Sequence, residues 1–113
     1  MIETRTIDEE TIAKAVELVR RAAPGATIIV FGSAARGGTT RDSDLDILVV
    51  EPEVKDRWDE MVRLRDVLRP LRIPVDVLVY SRKTFEDWAD TPGTVIYEAV
   101  QEGRVFYAEP AAR

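Results

Sequence analysis

Three short runs of β-branched and aliphatic residues, at positions 26–31 (ATIIVF), 44–50 (DLDILVV) and 73–80 (IPVDVLVY), constrain this chain more than any other feature. Runs so nearly continuous in apolar character suit strands covered on both faces rather than strands with one face in water. A sheet made from them must be covered by helices, and the intervening segments carry the required pattern. Thr6 and Glu9 fit a capping box, after which Ile12, Val16, Val19 and Ala23 recur at helical spacing until Pro24-Gly25 stops them. Pro52 closes the second run. Trp58, Met61, Val62, Leu64, Val67 and Leu68 then mark an amphipathic helix ending near Pro70.

The C-terminal third predicts smaller elements. Ser81 or Thr84 starts a short helix carrying Phe85 and Trp88, and Thr91-Pro92 reads as an N-cap followed by proline at the first helical position. Gly103 ends that helix, and Arg104-Val105-Phe106-Tyr107 forms a short strand. The order helix, strand, strand, helix, strand, helix, helix, strand predicts an α+β (α/β) fold: a small mixed β-sheet with helices packed mainly on one face. The whole chain, 1–113, is expected to be a single domain. Trp58, Trp88, Phe106 and Tyr107 are expected in the core rather than on a partner surface, because aromatic residues of so small a domain are more often buried.

Composition removes whole classes of chemistry. The chain has no cysteine and no histidine, so thiolate nucleophiles, imidazole bases and Cys/His zinc sites are excluded. The net charge of -5 argues against a free-standing nucleic-acid binder and against a nucleic-acid template. No apolar run approaches the roughly 20 residues of a membrane span, and the N-terminus lacks the apolar core of a signal peptide. A cytoplasmic protein without membrane contact is the expectation.

Catalysis is left to carboxylates, hydroxyls, amines or a metal, and the carboxylates are the most telling. Residues two apart in a strand face the same way, which sets Asp44 beside Asp46 while Leu45 and Ile47 face the other side. Two such charges repel by about 1 kcal/mol in water and by more near a protein surface, unless a cation intervenes. Asp76 stands alone among Val75, Val77, Leu78 and Val79, where a carboxylate facing a dry core would be costly. Three carboxylates without nitrogen or sulfur donors form a hard site suited to Mg2+ or Mn2+. Two such ions about 3.5–4 Å apart would clamp the oxygens of a phosphoryl transfer. The plainer alternative is that DSDLD is a strand start with water-facing aspartates and that Asp76 is an edge or salt-bridged residue.

Residues 32–43 (GSAARGGTTRDS) form a glycine-rich loop directly after the first strand. Gly32 lets the backbone approach an anion, and Ser33 offers a hydroxyl and an amide to phosphate oxygens. An ordinary turn would use the same residues. The loop is neither a P-loop, since Gly38 rather than lysine follows Gly37, nor a GxGxxG turn.

Taken together, Gly32-Ser33, ten intervening residues and Asp44-Leu45-Asp46 resemble the signature of the polymerase-β-like nucleotidyltransferase superfamily. FGSAARGGTTRDSDLDILVV, PVDVLVY and TPGTVIYEAVQEGRVFY are similar over most of the chain to the minimal nucleotidyltransferase (MNT) proteins, antitoxins of HEPN/MNT pairs. The resemblance implies the polymerase-β-like fold, with Asp44, Asp46 and Asp76 as catalytic, metal-binding carboxylates and Gly32 and Ser33 as the positions that hold the triphosphate. Arg36 and Arg41 are possible phosphate neighbours left outside that site.

The activity implied is Mg2+-dependent transfer of AMP from ATP to a hydroxyl, with two ions expected. Asp76 would take the hydroxyl proton or hold the ion that acidifies it. The implied acceptor is a tyrosine of a HEPN toxin partner, making the chain the antitoxin of a type VII-like pair, with a homo-oligomer also possible. With no histidine, the chain cannot itself carry the Arg-spacer-His ribonuclease motif of a HEPN protein. The alternatives are an aminoglycoside-type small-molecule nucleotidyltransferase and a non-catalytic antitoxin acting by occlusion.

Overall fold

A computed structural model describes residues 7–32 and 44–107. Helix α1 (Glu9–Ala22) opens on Asp8, whose side chain accepts from the Thr11 amide at 2.8 Å. The cap is therefore Asp8 and not the expected Thr6, which lies outside the described residues; an aspartate next to the first helical turn satisfies the same free amides. Glu9 and Glu10 in the first turn and Arg20 and Arg21 in the last complement the helix dipole. Gly25, at φ +85°, turns the chain into strand β1 (Thr27–Phe31).

Strand β2 (Leu45–Glu51) precedes helix α2 (Arg57–Leu68), which is capped by Asp56 accepting from the Asp59 amide at 3.0 Å. A 3-10 turn, Arg69–Leu71, leads to strand β3 (Val75–Ser81). Helices α3 (Arg82–Trp88) and α4 (Val95–Glu102) and strand β4 (Arg104–Tyr107) follow. The cap of α4 is Thr94, accepting from the Tyr97 amide at 3.1 Å, rather than the expected Thr91. Gly93, at φ +90°, breaks the helical path after Pro92, and the Thr91 amide closes a turn onto the Trp88 carbonyl instead.

The strands form one mixed sheet in the order β3-β2-β1-β4. β1 pairs antiparallel with β2 and β4, whereas β2 and β3 are parallel and are joined through α2, the long crossover that parallel pairing demands. Side-chain alternation divides the core. Ile28 and Val30 of β1, Leu45, Ile47 and Val49 of β2, and Val77 and Val79 of β3 meet Ile12, Ala15, Val16 and Val19 of α1 and Leu64 and Leu68 of α2. On the other face Ile29, Phe31, Leu48 and Val50 pack with Ala99 and Val95 of α4 and Phe85 of α3. The two longer helices share one face, as expected, and the two short C-terminal helices cover the other.

Two aromatic residues depart from the expected burial. Trp58 is 70% exposed and Trp88 48% exposed. The buried residues of α2 are Leu64 and Leu68, and Trp58 lies outside the stripe they define, with Val62 exposed one turn later. Phe106 packs against the larger core cluster as expected, and the side chain of Tyr107 lies outside the described residues. Beside Trp58, Arg57 reaches the edge of β3, where it donates to the Val79 carbonyl and stacks its guanidinium 4.1 Å from the centre of the Tyr80 ring. No helix among the described residues is long and apolar enough to cross a membrane.

Candidate active site

The parallel register of β2 and β3 sets Asp46 directly beside Asp76. Strands in such a ladder lie about 4.8 Å apart, close enough for the two carboxylates to meet over one patch of surface. By alternation both belong to the face that carries Leu48, Val50, Leu78 and Tyr80, the face covered further along by α3 and α4. Asp46 is half-buried and Asp76 is exposed. Asp76 is thus an edge-strand residue, as the plainer reading of the sequence allowed, and it is also the register neighbour of Asp46.

Asp44 precedes β2 by one residue and is exposed. The strand proper begins at Leu45, whose amide donates to the Pro74 carbonyl at 3.0 Å. The expected pair of neighbours within one strand is therefore a strand residue and the residue that leads into it. Their charges still interact: the Asp46 carboxyl is raised above its ordinary range by burial first, then by the charges of Asp76 and of Asp44. The site accumulates negative charge that a cation would relieve.

Gly32 completes the described part of the site. Phe31, the last residue of β1, pairs with Asp46, so the chain leaves the sheet next to that carboxylate. Gly32 adopts φ +84°, and a Cβ added there would lie on Asp46 Oδ2 and 3.2 Å from Asp46 Cγ. Ser33, Arg36 and Arg41 lie outside the described residues. Carboxylate oxygens alone make a donor set suited to Mg2+ or Mn2+, and the Asp46 carboxyl, raised by burial and by like-charged neighbours, fits such an ion. Among the described residues no three carboxylates converge tightly enough to enclose an ion unaided. Oxygens from a bound substrate or water would complete the coordination shell, as is usual for Mg2+.

A second acidic cluster escaped the sequence reading. Glu51, at the far end of β2, lies beside Glu60 of α2, and burial first, then that neighbour, pushes its carboxyl up to about 7. Glu60 is held low, chiefly by its hydrogen bonds from Arg63. These residues border a cavity of about 450 Å3 that also includes Glu53, Lys55 and Asp59. Only the crossover of α2 back over β2 brings Glu51 and Glu60 together, so no local spacing announces the pair. A smaller cavity, about 260 Å3, lies on the aspartate-bearing side between α3 and α4, against Tyr80, Trp88 and Val95.

Residues 12–107 match the sequence profile of the nucleotidyltransferase domain. No curated protein matches the chain. Among solved structures the chain is similar to a putative minimal nucleotidyltransferase, at 29% identity and TM-score 0.60, covering 86% of this chain and 94% of that one. It is similar to a mutant form of the toxin-antitoxin MntA-HpeT, at 25% identity and TM-score 0.56, covering 86% and 72%. A toxin-antitoxin crystallised with AMP-PNP shares the fold at 24% identity and TM-score 0.58, covering 85% and 72%.

Proposed function

This chain belongs to the nucleotidyltransferase domain family, and we propose that it transfers AMP from ATP to a hydroxyl group, with a tyrosine of a HEPN toxin partner as the acceptor. The observation that carries the chemistry is the register pairing of Asp46 with Asp76 beside the chain turn at Gly32. The protein partner is supported by the likeness to the MntA-HpeT toxin-antitoxin and by the exposure of Trp58 and Trp88, since large exposed aromatics are typical of contact surfaces. We read residues 1–113 as one domain, consistent with a family match that runs through most of its length.

Asp44, Asp46 and Asp76 would hold Mg2+, which supplies charge neutralisation for the phosphates and acidifies a nearby hydroxyl. Gly32 and Ser33 would hold the triphosphate through backbone and hydroxyl groups. The acceptor oxygen attacks the α-phosphorus as the bond from that phosphorus to the bridging oxygen breaks, and pyrophosphate leaves with the electron pair. Asp76, exposed on the edge strand, would take the hydroxyl proton, in a chain that has no histidine for the task. Asp46, half-buried and next to the turn, is placed to face the phosphates.

The test is transfer of label from α-labelled ATP, with Mg2+, to the product of the adjacent gene, expected on this reading to be a HEPN-domain protein. Label on a partner tyrosine is expected, and Asp46→Ala or Asp76→Ala should reduce it by at least about a hundredfold. Absence of label with the wild-type protein, or label retained by either variant, would refute the reading. A triple Asp44, Asp46, Asp76→Ala protein that still neutralised the partner would show that neutralisation proceeds by occlusion.

A further inference from the structure

We propose that Gly32 is a positioning residue for Asp46: the absence of a side chain at 32 fixes where the Asp46 carboxylate sits. The inference rests on the reading of Asp46 as a metal ligand for its consequence in metal binding, while the contact itself is a matter of packing. Burial and the like charges of Asp76 and Asp44 act on the Asp46 carboxyl. Where its carboxylate can sit is bounded by the residues packed around it. Leu45 and Ile47 on either side of it are fully buried on the opposite face, so the backbone of β2 cannot turn to move it. Phe31, nearly buried, holds the register partner in place.

Within that frame two described neighbours, Asp76 and Gly32, bound the directions the side chain can take. One direction leads toward Asp76, against its charge. Another leads over the α-carbon of Gly32, where Oδ2 occupies the space that a Cβ would fill. The backbone conformation at residue 32, φ +84°, by itself disfavours any other residue. The steric demand of Asp46 is a separate requirement. A methyl group at 32 would drive the carboxylate toward Asp76 or push the start of the loop away from β2. Either movement separates the oxygens meant for one cation from the turn that leads to the phosphates.

The two requirements are separable by a double-mutant cycle. Gly32→Ala should lower the thermal midpoint substantially in the wild-type background and distinctly less in an Asp46→Ala background, where only the φ strain remains. A Gly32→Ala protein too unstable to isolate, rescued by adding Asp46→Ala, would establish the same coupling. Equal losses in both backgrounds, or failure of both proteins to fold, would overturn the proposal.

The second readout is Mn2+ binding in the absence of nucleotide, followed by electron paramagnetic resonance. Gly32→Ala should weaken it by about tenfold or more, the scale at which misplacement of a ligand by its supporting residues is felt. A merely structural glycine, or one that only holds phosphate, would leave Mn2+ affinity unchanged in the folded variant, and that result would also refute the proposal. Wild-type protein that binds no Mn2+ would defeat the metal-site reading, while the stability cycle would still decide the coupling of Gly32 to Asp46.

Discussion

Asp46 concentrates the conflict between stability and function in a single side chain. Its carboxyl is raised by burial and by two neighbouring carboxylates, so its ionised form carries a local penalty in the metal-free protein. Asp46→Asn keeps the shape and removes the charge. We expect the metal-free variant to melt higher than wild type at pH 7, by roughly 2–5 °C given solvent screening of a half-exposed group and the size of the domain. Calorimetry in the presence of a chelator measures this, and a lower midpoint for Asn would contradict the repulsion account. The sequence allowed Asp46 to be identified, because Asp44-Leu45-Asp46 and the preceding glycine-serine step stand out by spacing. It did not show that Asp44 falls just before the strand, nor that Gly32 and Asp46 touch, since both depend on where β1 and β2 pair.

At the scale of elements, the contact of α2 with the end of β2 carries its own pH dependence. Glu51 is raised to about 7 by burial and by its neighbour Glu60, whose own carboxyl Arg63 holds low. A carboxyl whose folded value lies above its ordinary 4.5 contributes stability that is fully present below that ordinary value and lost as pH rises through about 7. Glu60 has the opposite sign: its contribution is present above its ordinary value and lost only in stronger acid. The protein should therefore melt lower at about pH 8 than at about pH 6, and Glu51→Gln should raise the midpoint at the higher pH by a few degrees while leaving it little changed near about pH 5. Thermal melts across that range decide it; a Glu51→Gln profile parallel to wild type would show that another group governs the slope.

Helices and strands themselves were largely legible. The apolar runs gave β1, β2 and β3, and the 3.6-residue spacing gave α1 and α2, because local periodicity reflects the face each element buries. The caps of α1 and α4 lie two and three residues beyond Thr6 and Thr91, since several aspartates and threonines compete and only backbone geometry chooses among them.

At the scale of the molecule, the sheet order β3-β2-β1-β4 places the parallel pair at one side and makes β3 an edge. Arg57 covers part of that edge by its contacts with Val79 and Tyr80, which discourages pairing with another chain. The exposure of Trp58 is a consequence of the same arrangement: α2 uses its Leu64 and Leu68 stripe to cover the sheet, and the tryptophan projects beyond it. Trp58→Ala should accordingly change folding stability by less than about 0.5 kcal/mol, as an exposed substitution does. Urea titration of the variant checks this; a loss on the scale of about 3 kcal/mol, as for a buried tryptophan, would place the ring in the core.

The sequence by itself determined the inventory of this protein: the apolar strands, the amphipathic helices, a chemistry without thiolate or imidazole, and membership in a family whose motif is local in the chain. These are properties of spacing and composition, and neither requires knowledge of distant neighbours. Tertiary structure alone decided which residues meet. The parallel register brought Asp76 of an edge strand to Asp46 across 30 positions of chain, and the antiparallel pairing of β1 with β2 brought Gly32 against the same carboxylate. Contacts between distant segments are selected by how buried faces pack and how backbone hydrogen bonds align, and no pattern within either segment carries that choice.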